Sequence, residues 1–413
     1  MGIQNGSKCT ANLSNIPLVG LMKVLRHLRS SNTSDSHGNA NHRSDARPCI
    51  DFDMNWLFMS KTKAGDSTKV KVDKVLAIIN AFAKCGCVCQ PVSDPELRHH
   101  TKRASIQRRA DRVILEIKVK RARYELAQVN QELMSVHSAG VGDPDLEKKK
   151  TELAKVAKRE LRDNEVSPDL VHMLKNNIDG ECLFIENEAG GCVERVITGI
   201  YQADLLLAKR YMNKISTTIV SSDGDFAFLV GDRLVQIKDF HFDFKSKEIT
   251  NISLSFTSNT IAKEFESMLK DGGINGLKYT VAQYEFFSTY SDLETRALIA
   301  FGLGSDVLKG GCKGVGPVNL NSFLVGLEGN TTEGVTHELK KWYSSKLKTT
   351  VQTIEAYQQA MIYEPTNDRA EMGIYEYLDH SPRILYSYTK DFLDRTNKES
   401  PYPHFVPKFN FKI

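Results

Sequence analysis

The fold class follows from residues 49–94, CIDFDMNWLFMSKTKAGDSTKVKVDKVLAIINAFAKCGCVCQPVSD. They begin with a strand-like run, Cys49–Asp53, continue with helical spacing of apolar residues, and end in a second strand-like run at 87–92. An aspartate lies near the carboxyl end of each predicted strand. In open α/β sheets, functional sites lie beyond that edge. The stretch therefore predicts an α/β fold with a site formed by strand-end residues.

The same alternation returns in the second half of the chain. Residues 203–211 have helical periodicity, 216–220 form a β-branched run before Asp223-Gly224-Asp225, and 293–302 form a helix before Asp306. We also predict helices at 17–28 and near 261–269, two edge strands at 234–237 and 240–244, and a flexible loop in the polar stretch 30–48.

The composition is that of a soluble globular protein. Of 413 residues, 41% are hydrophobic and 26% are charged. No apolar run approaches the roughly 20 residues that span a bilayer, and the first residues lack the apolar segment of a secretory signal. The 8 cysteines lack the CxxC pairs typical of zinc sites, which favours reduced thiols in a nuclear or cytosolic protein.

Positive charge is concentrated in one helical segment. The chain has a net charge of +4, but residues 98–162 alone contain 17 basic and 9 acidic residues. Within this segment, helical sequence covers 100–132, breaks at 140–144 and resumes over 145–161, which predicts a helical hairpin or arch. A basic arch suits binding to phosphates. The alternative is a solvated coiled-coil hairpin that contacts a partner protein.

Seven acidic residues lie near the ends of predicted strands or helices. Taken singly, each would more often cap a helix or a turn. Carboxylates that meet at one sheet edge repel each other unless cations lie between them, and oxygen ligands suit Mg²⁺ or Mn²⁺ rather than zinc. Two such ions about 4 Å apart can activate water and stabilise the leaving oxygen of a phosphodiester. The seven are Asp51, Asp53, Asp94, Asp204, Asp223, Asp225 and Asp306.

The order and spacing of these residues resemble the flap endonuclease family of structure-specific 5′ nucleases (PIN-like, XPG-type), over roughly residues 1–330. IDFDM (50–54) resembles the family's first-strand motif, VSD (92–94) its second-strand motif and SSDGD (221–225) its paired-acid motif. GSD (304–306) resembles the family's Gly-x-Asp element. In the family a glycine hairpin follows this element, and GVGP (314–317) matches that hairpin.

One departure from the family pattern bears on catalysis. YQAD (201–204) occupies the place of a motif with two acids, so Asp204 fits a metal ligand but Gln202 replaces a carboxylate. An amide oxygen carries no net charge and binds a divalent ion less well. A DNA-binding relative with impaired catalysis is therefore the main alternative to an active nuclease.

The resemblance implies a PIN-like (Rossmann-like) sheet, mostly parallel and flanked by helices, with an inserted helical arch and a helix–two-turn–helix element that binds DNA. The implied parts are the N-terminal part of the nuclease core at 1–97, the basic arch at 98–178, the internal part of the core at 179–305, the helix–two-turn–helix at 306–335 and a C-terminal helical extension at 336–413.

The resemblance also assigns roles to individual residues. Lys102 and Arg103 resemble the basic pair that steers the scissile phosphate to the metals. The implied ligands of two Mg²⁺ ions, which Mn²⁺ can replace, are Asp51, Asp94, Asp204, Asp223, Asp225 and Asp306. In many members of the family, a K⁺ ion also binds at the glycine hairpin. The resemblance implies DNA contacts by Arg108, Arg109, Arg112, Lys309, Lys313, Gly314 and Gly316.

The implied activity is hydrolysis of DNA at 5′ flaps, ends or junctions, in replication or repair, by a nuclear monomer. Residues 401–413 lack a Gln-led sliding-clamp motif, so we do not expect clamp binding. A DxD phosphatase with Asp51 as nucleophile is a remote alternative, because Asn55 stands where that chemistry usually has Thr. A purely structural or scaffolding role is another.

Overall fold

The computed structural model describes residues 8–33, 47–63, 65–94, 103–138, 143–157, 168–180, 191–199, 203–305 and 311–362. These residues divide into two compact units. The helical unit holds 105–138 and 143–157, and the core unit holds the other described residues.

The core unit is built on one sheet, which has nine strands among the described residues. They are β1 (Ala11–Ile16), β2 (Cys49–Asp53), β3 (Val88–Ser93), β4 (Cys192–Val193), β5 (Ile197–Thr198), β6 (Thr218–Val220), β7 (Val235–Asp243), β8 (Glu248–Phe256) and β9 (Lys278–Thr280). Their order is β4-β3-β2-β6-β7-β8-β1-β9, and β5 also pairs with β3. Pairing is parallel from β4 to β7 and antiparallel from β7 to β9.

The described residues form 14 helices, and those of the core unit cover both faces of the sheet. In chain order they are α1 (Leu18–Thr33), α2 (Met54–Lys61), α3 (Thr68–Lys84), α4 (Arg103–Ser138), α5 (Pro144–Ala157), α6 (Pro168–Gly180), α7 (Ala203–Met212), α8 (Asp225–Val230), α9 (Asn259–Asp271), α10 (Phe286–Thr289), α11 (Leu293–Leu303), α12 (Pro317–Val325), α13 (Thr332–Leu347) and α14 (Val351–Ile362). One apolar core contains residues of α1, α2, α3, α6 and α9, and a second contains residues of α7, α8 and α10 to α14. The predicted α/β fold with a mostly parallel sheet between helices is confirmed.

The helical unit consists of α4, apart from its first two residues, and α5. α4 ends at Ser138 and α5 begins at Pro144, and most of the predicted break at 140–144 lies outside the described residues. The arch therefore stays a prediction. None of the helices in the described ranges combines the length and apolar character that crossing a membrane requires.

α3 shows how the local sequence builds these elements. The Ser67 side chain accepts a hydrogen bond from the Val70 N–H and caps the helix. From Val72 to Phe82, the apolar residues at helical spacing are buried against the sheet. The helix ends before Gly86, whose φ of 85° is readily adopted only by glycine.

β2 is the central strand that positions the site. All five of its residues are buried, as expected for a strand covered on both faces. The ring of Phe52 packs edge to face on that of Phe82 in α3, with 5.3 Å between ring centroids. Asp51 and Asp53 therefore lie inside the protein, where each needs polar partners.

Three parts differ from the predictions. Residues 234–237 and 240–244 do not form two edge strands, because β7 runs through both and lies between β6 and β8. β1 and β8 were not predicted, and they pair with each other across a long sequence separation. α6, placed in the arch from sequence, belongs to the core unit and packs its Leu170 and Leu174 in the same core as α3.

Candidate functional site

Three aspartates follow neighbouring parallel strands at the carboxyl edge of the sheet. Asp53 is the last residue of β2, Asp94 follows β3, and Asp223 follows β6. β2 lies between β3 and β6 and pairs in parallel with both, so the three chain segments leave the sheet side by side. Burial raises the pKa of Asp53, and the charges of Asp94 and Asp223 raise it further.

Asp53 is held at both carboxylate oxygens. Oδ1 accepts a hydrogen bond of 3.1 Å from the Trp56 N–H, and Oδ2 accepts one of 2.8 Å from the Ser221 hydroxyl. Burial, followed by the charges of Asp94 and Asp223, raises its pKa to about 6, although both hydrogen bonds act in the opposite direction. A nearby cation would favour the ionised carboxylate.

Asp94 is held between α2 and α7. The Asn55 side-chain amide donates to its Oδ2, and the Ala203 N–H donates to its Oδ1 at 2.8 Å. Because Ala203 is the first residue of α7, Asp94 also benefits from the partial positive charge of that helix end. Asp204 lies in the same first turn, so the start of α7 brings a further carboxylate to this part of the sheet edge.

A tight turn after β6 places the paired acids. The Asp223 N–H donates to Ser221 Oγ at 3.1 Å, and the Asp225 N–H donates to Asp223 Oδ1 at 3.1 Å. On the other side, Gln236 Nε2 donates to the Asp223 carbonyl oxygen at 2.8 Å. α8 begins at Asp225 directly after this turn. Both acids of the predicted motif thus follow β6 at the carboxyl edge.

Asp51 is bound to an arginine instead. It is fully buried, and its two oxygens accept hydrogen bonds of 2.7 and 3.1 Å from the Arg210 guanidinium. Burial raises the pKa of Asp51, and the bonds to Arg210 lower it. Because Arg210 occupies both oxygens of Asp51, the structure favours Asp53, two residues later on the same face of β2, as the candidate metal ligand. The ion pair also argues against Asp51 as a phosphatase nucleophile.

We expect Arg210→Met to lower the free energy of unfolding by about 3 kcal/mol, because it leaves the Asp51 carboxylate buried without its cation. Asp51→Asn removes the charge and should cost less. Urea unfolding of both variants and of the double variant measures their coupling. Costs that simply add would contradict a structural role for this pair.

The carboxylates suit a hard divalent cation, although the described residues do not supply a complete set of ligands for one. Aspartate oxygens are ligands that Mg²⁺ and Mn²⁺ prefer, and a cation would relieve the repulsion at Asp53. Within the described ranges, no three acidic, histidine or cysteine side chains lie close enough together to ligate one ion. Because Mg²⁺ usually keeps several water ligands, two carboxylates with water would suffice for one ion.

Several predicted residues have side chains outside the described part of the structure, so their roles stay predictions. Four of them belong to α4, and the others lie between described segments. They are Lys102, Arg103, Arg108, Arg109, Arg112, Gln202, Asp306 and Lys309.

The predicted glycine hairpin leads into α12. Gly314 has a φ of 80°, and a Cβ at either Gly314 or Gly316 would meet open space, so a ligand can approach the backbone closely. Gly316 is the N-cap of α12, whose first backbone N–H groups suit a phosphate. Lys313 is exposed beside them, and Asn319 Nδ2 donates to the Gly314 carbonyl at 2.8 Å. DNA and K⁺ binding here stay predictions.

No protein-family model matches the sequence, and no curated protein matches it. Solved structures do match. The catalytic core of Rad2 in complex with DNA substrate has 15% identity, with 87% of this chain and 90% of that chain covered and a TM-score of 0.37. GEN1 in complex with product DNA and Mg²⁺ has 15% identity, 94% and 66% coverage and a TM-score of 0.38. Flap endonuclease-1 from Methanococcus jannaschii has 14% identity, 86% and 94% coverage and a TM-score of 0.36.

Proposed function

We propose that the chain, whose motifs resemble those of the flap endonuclease family, is a metal-dependent, structure-specific 5′ nuclease that hydrolyses DNA phosphodiester bonds. The placement of Asp53, Asp94 and Asp223 at the ends of three adjacent parallel strands supports this proposal most strongly. Hydrogen-bond donors hold both oxygens of Asp53 and both oxygens of Asp94 in place. Carboxylates fixed in this way are better suited to bind a metal ion than to transfer protons.

In this proposal, Asp53, Asp94 and Asp223 hold two Mg²⁺ ions, which Mn²⁺ can replace, with Asp204 and Asp225 from the adjacent helix starts. The bound ions would supply an activated water molecule and positive charge at the leaving oxygen. The aspartates orient the ions and are not nucleophiles. Lys102 and Arg103 offset the charge that develops on the phosphate. The backbone N–H groups at Gly314 and Gly316, with Lys313, bind a phosphate farther along the DNA.

The proposed substrates are DNA flaps, 5′ ends and junctions. The charge surplus of residues 98–162 attracts phosphates without regard to base sequence, so strand-end structure would decide where the enzyme cuts. We also propose that the protein is a monomer and that it acts in the nucleus during DNA replication or repair.

The test is an assay of the purified full chain on end-labelled 5′-flap, bubble, gapped and four-way-junction DNA, with Mg²⁺, Mn²⁺ or EDTA. We expect cleavage near the branch point with either metal and none in EDTA. The Asp53→Asn variant controls for contaminating nucleases. Intact DNA throughout the panel would contradict an active nuclease, and cleavage in EDTA would contradict metal dependence.

A DNA-binding relative with impaired catalysis is the second candidate. It is favoured by Gln202 and by the lack, within the described ranges, of three acids close enough to share one ion. If the chain is an active nuclease, Gln202→Glu should lower the Mg²⁺ concentration for half-maximal cleavage about 10-fold, and the exposed Gln283→Glu should not. A silent wild type that gains activity through Gln202→Glu would select the second candidate.

A further inference from the structure

The hydroxyl group of Ser221 lies between two of the proposed metal ligands. Ser221 directly follows β6 and is fully buried. Its hydroxyl donates to Asp53 Oδ2 at 2.8 Å and accepts a hydrogen bond of 3.1 Å from the Asp223 N–H. One side chain therefore joins the end of β2 to the turn that carries Asp223.

Resting on the proposed function, we infer that Ser221 is a positioning residue that sets the affinity of this edge for divalent cations. The Trp56 N–H holds one oxygen of Asp53, and Ser221 holds the other, so the carboxylate is fixed at two points. Without the hydroxyl, Asp53 would keep only its helix-capping bond, and its second oxygen could turn away from Asp223.

The opposite side of the turn is held independently. Gln236 is buried in β7 and donates to the Asp223 carbonyl oxygen at 2.8 Å. The backbone of Asp223 is thus bound at its N–H by Ser221 and at its carbonyl by Gln236. Because Gln236 also binds this turn, the contribution that Ser221 alone makes is the link to Asp53.

A hydroxyl group is suited to this link. It donates one hydrogen bond and accepts others without adding charge. A lysine or arginine at this place would compete with the cation for the carboxylates. An apolar side chain would leave the Asp223 N–H without this acceptor. Partners that orient metal ligands typically contribute 10- to 100-fold in metal affinity or activity.

The test compares Mn²⁺ binding, measured by electron paramagnetic resonance without DNA, among wild type and three variants. Ser221→Ala should weaken Mn²⁺ binding about 10- to 100-fold. Ser221→Thr keeps the hydroxyl and should bind close to wild type. Ser222→Ala, at the exposed neighbouring residue, should also match wild type. In cleavage assays, Ser221→Ala should need correspondingly more Mg²⁺, whereas its rate at saturating Mg²⁺ should recover.

The outcomes separate this inference from the proposed function. Equal Mn²⁺ affinity in wild type and Ser221→Ala would overturn the inference, as would equal losses in Ser221→Ala and Ser221→Thr. A wild type that binds no Mn²⁺ would overturn the proposed function itself. If thermal unfolding in EDTA shows that Ser221→Ala does not fold, Ser221→Cys repeats the comparison, because a thiol has a similar shape and is a much weaker donor.

Discussion

Asp53→Asn is expected to lower the rate of DNA cleavage about 10³-fold and to leave DNA binding close to wild type. The variant exchanges a charged metal ligand for a neutral amide, and a loss of about 4 kcal/mol in transition-state stabilisation corresponds to that factor. Asn caps helices about as well as Asp, so α2 should keep its start at the Trp56 N–H. Single-turnover cleavage of a 5′-flap DNA and fluorescence anisotropy measure the two effects.

The same variant should be at least as stable as wild type in EDTA above pH 6. Burial, with the charges of Asp94 and Asp223, raises the pKa of Asp53 to about 6. A group whose pKa is higher in the folded state stabilises the protein at low pH, and that contribution is lost as the pH rises through its folded pKa. Above this pH, the ionised carboxylate disfavours folding and an amide does not. Thermal unfolding would show whether lost activity reflects lost structure.

Asp292→Asn is the matched control for this prediction. Asp292 is also an N-cap, and its side chain accepts a hydrogen bond of 2.7 Å from the Thr295 N–H at the start of α11. The control makes the same chemical change at a capping aspartate outside the sheet edge and should leave cleavage unchanged. A rate for Asp53→Asn within about tenfold of wild type would contradict its role as a metal ligand.

Arg296→Met is expected to lower the free energy of unfolding by about 5 kcal/mol. Arg296 is buried in α11, and its guanidinium donates to the carbonyl oxygens of Phe228, Tyr290 and Ser291. The bond to Phe228 and a further bond to the Leu229 carbonyl are buried, whereas those to Tyr290 and Ser291 are partly buried. Each buried carbonyl left without a donor costs about 1–3 kcal/mol. Because ordinary domains are stable by only about 5–15 kcal/mol, the variant should unfold at much lower urea concentration.

The loss of structure caused by Arg296→Met should also affect the candidate site at the sheet edge. Phe228 lies in the last turn of α8, which begins at Asp225, so Arg296 fixes a helix that starts at the site. Arg233→Met is the control, because the Arg233 side chain is 76% exposed and its pair with Asp232 spans 4.0 Å. Its cost should stay below about 0.5 kcal/mol. Equal urea midpoints for Arg296→Met and wild type would refute the proposed role.

Part of the site was predictable because the carboxyl ends of parallel strands lie at one edge of the sheet, where sites of open α/β folds are found. Local sequence marks Asp94 and Asp223 as strand-end residues, and parallel pairing places such residues on one edge. The choice between Asp51 and Asp53 depends on residues far away in sequence. Asp51 is bound by Arg210, which lies 159 positions later in the sequence. Asp53 is bound by Ser221, which lies 168 positions later. One local signal was present: Asp53 caps the helix that follows at once.

The antiparallel half of the sheet was harder to predict. Lys238 and Asp239 interrupt the apolar pattern of β7, and the register against β8 shifts between Ile237 and Asp239. An irregularity of this kind lets one strand continue where a strict period of two predicts a break. The pairing of β1 with β8 depends on contacts between distant segments, which no local pattern reveals.

Anomalous diffraction from a crystal of the full chain grown with Mn²⁺ would locate the cation itself. We expect a peak at the carboxyl edge, at ligand distance (about 2 Å) from oxygens of at least two of Asp53, Asp94 and Asp223. A map in which Mn²⁺ occupies other sites and leaves this edge empty would contradict the proposal that these three carboxylates form a metal centre.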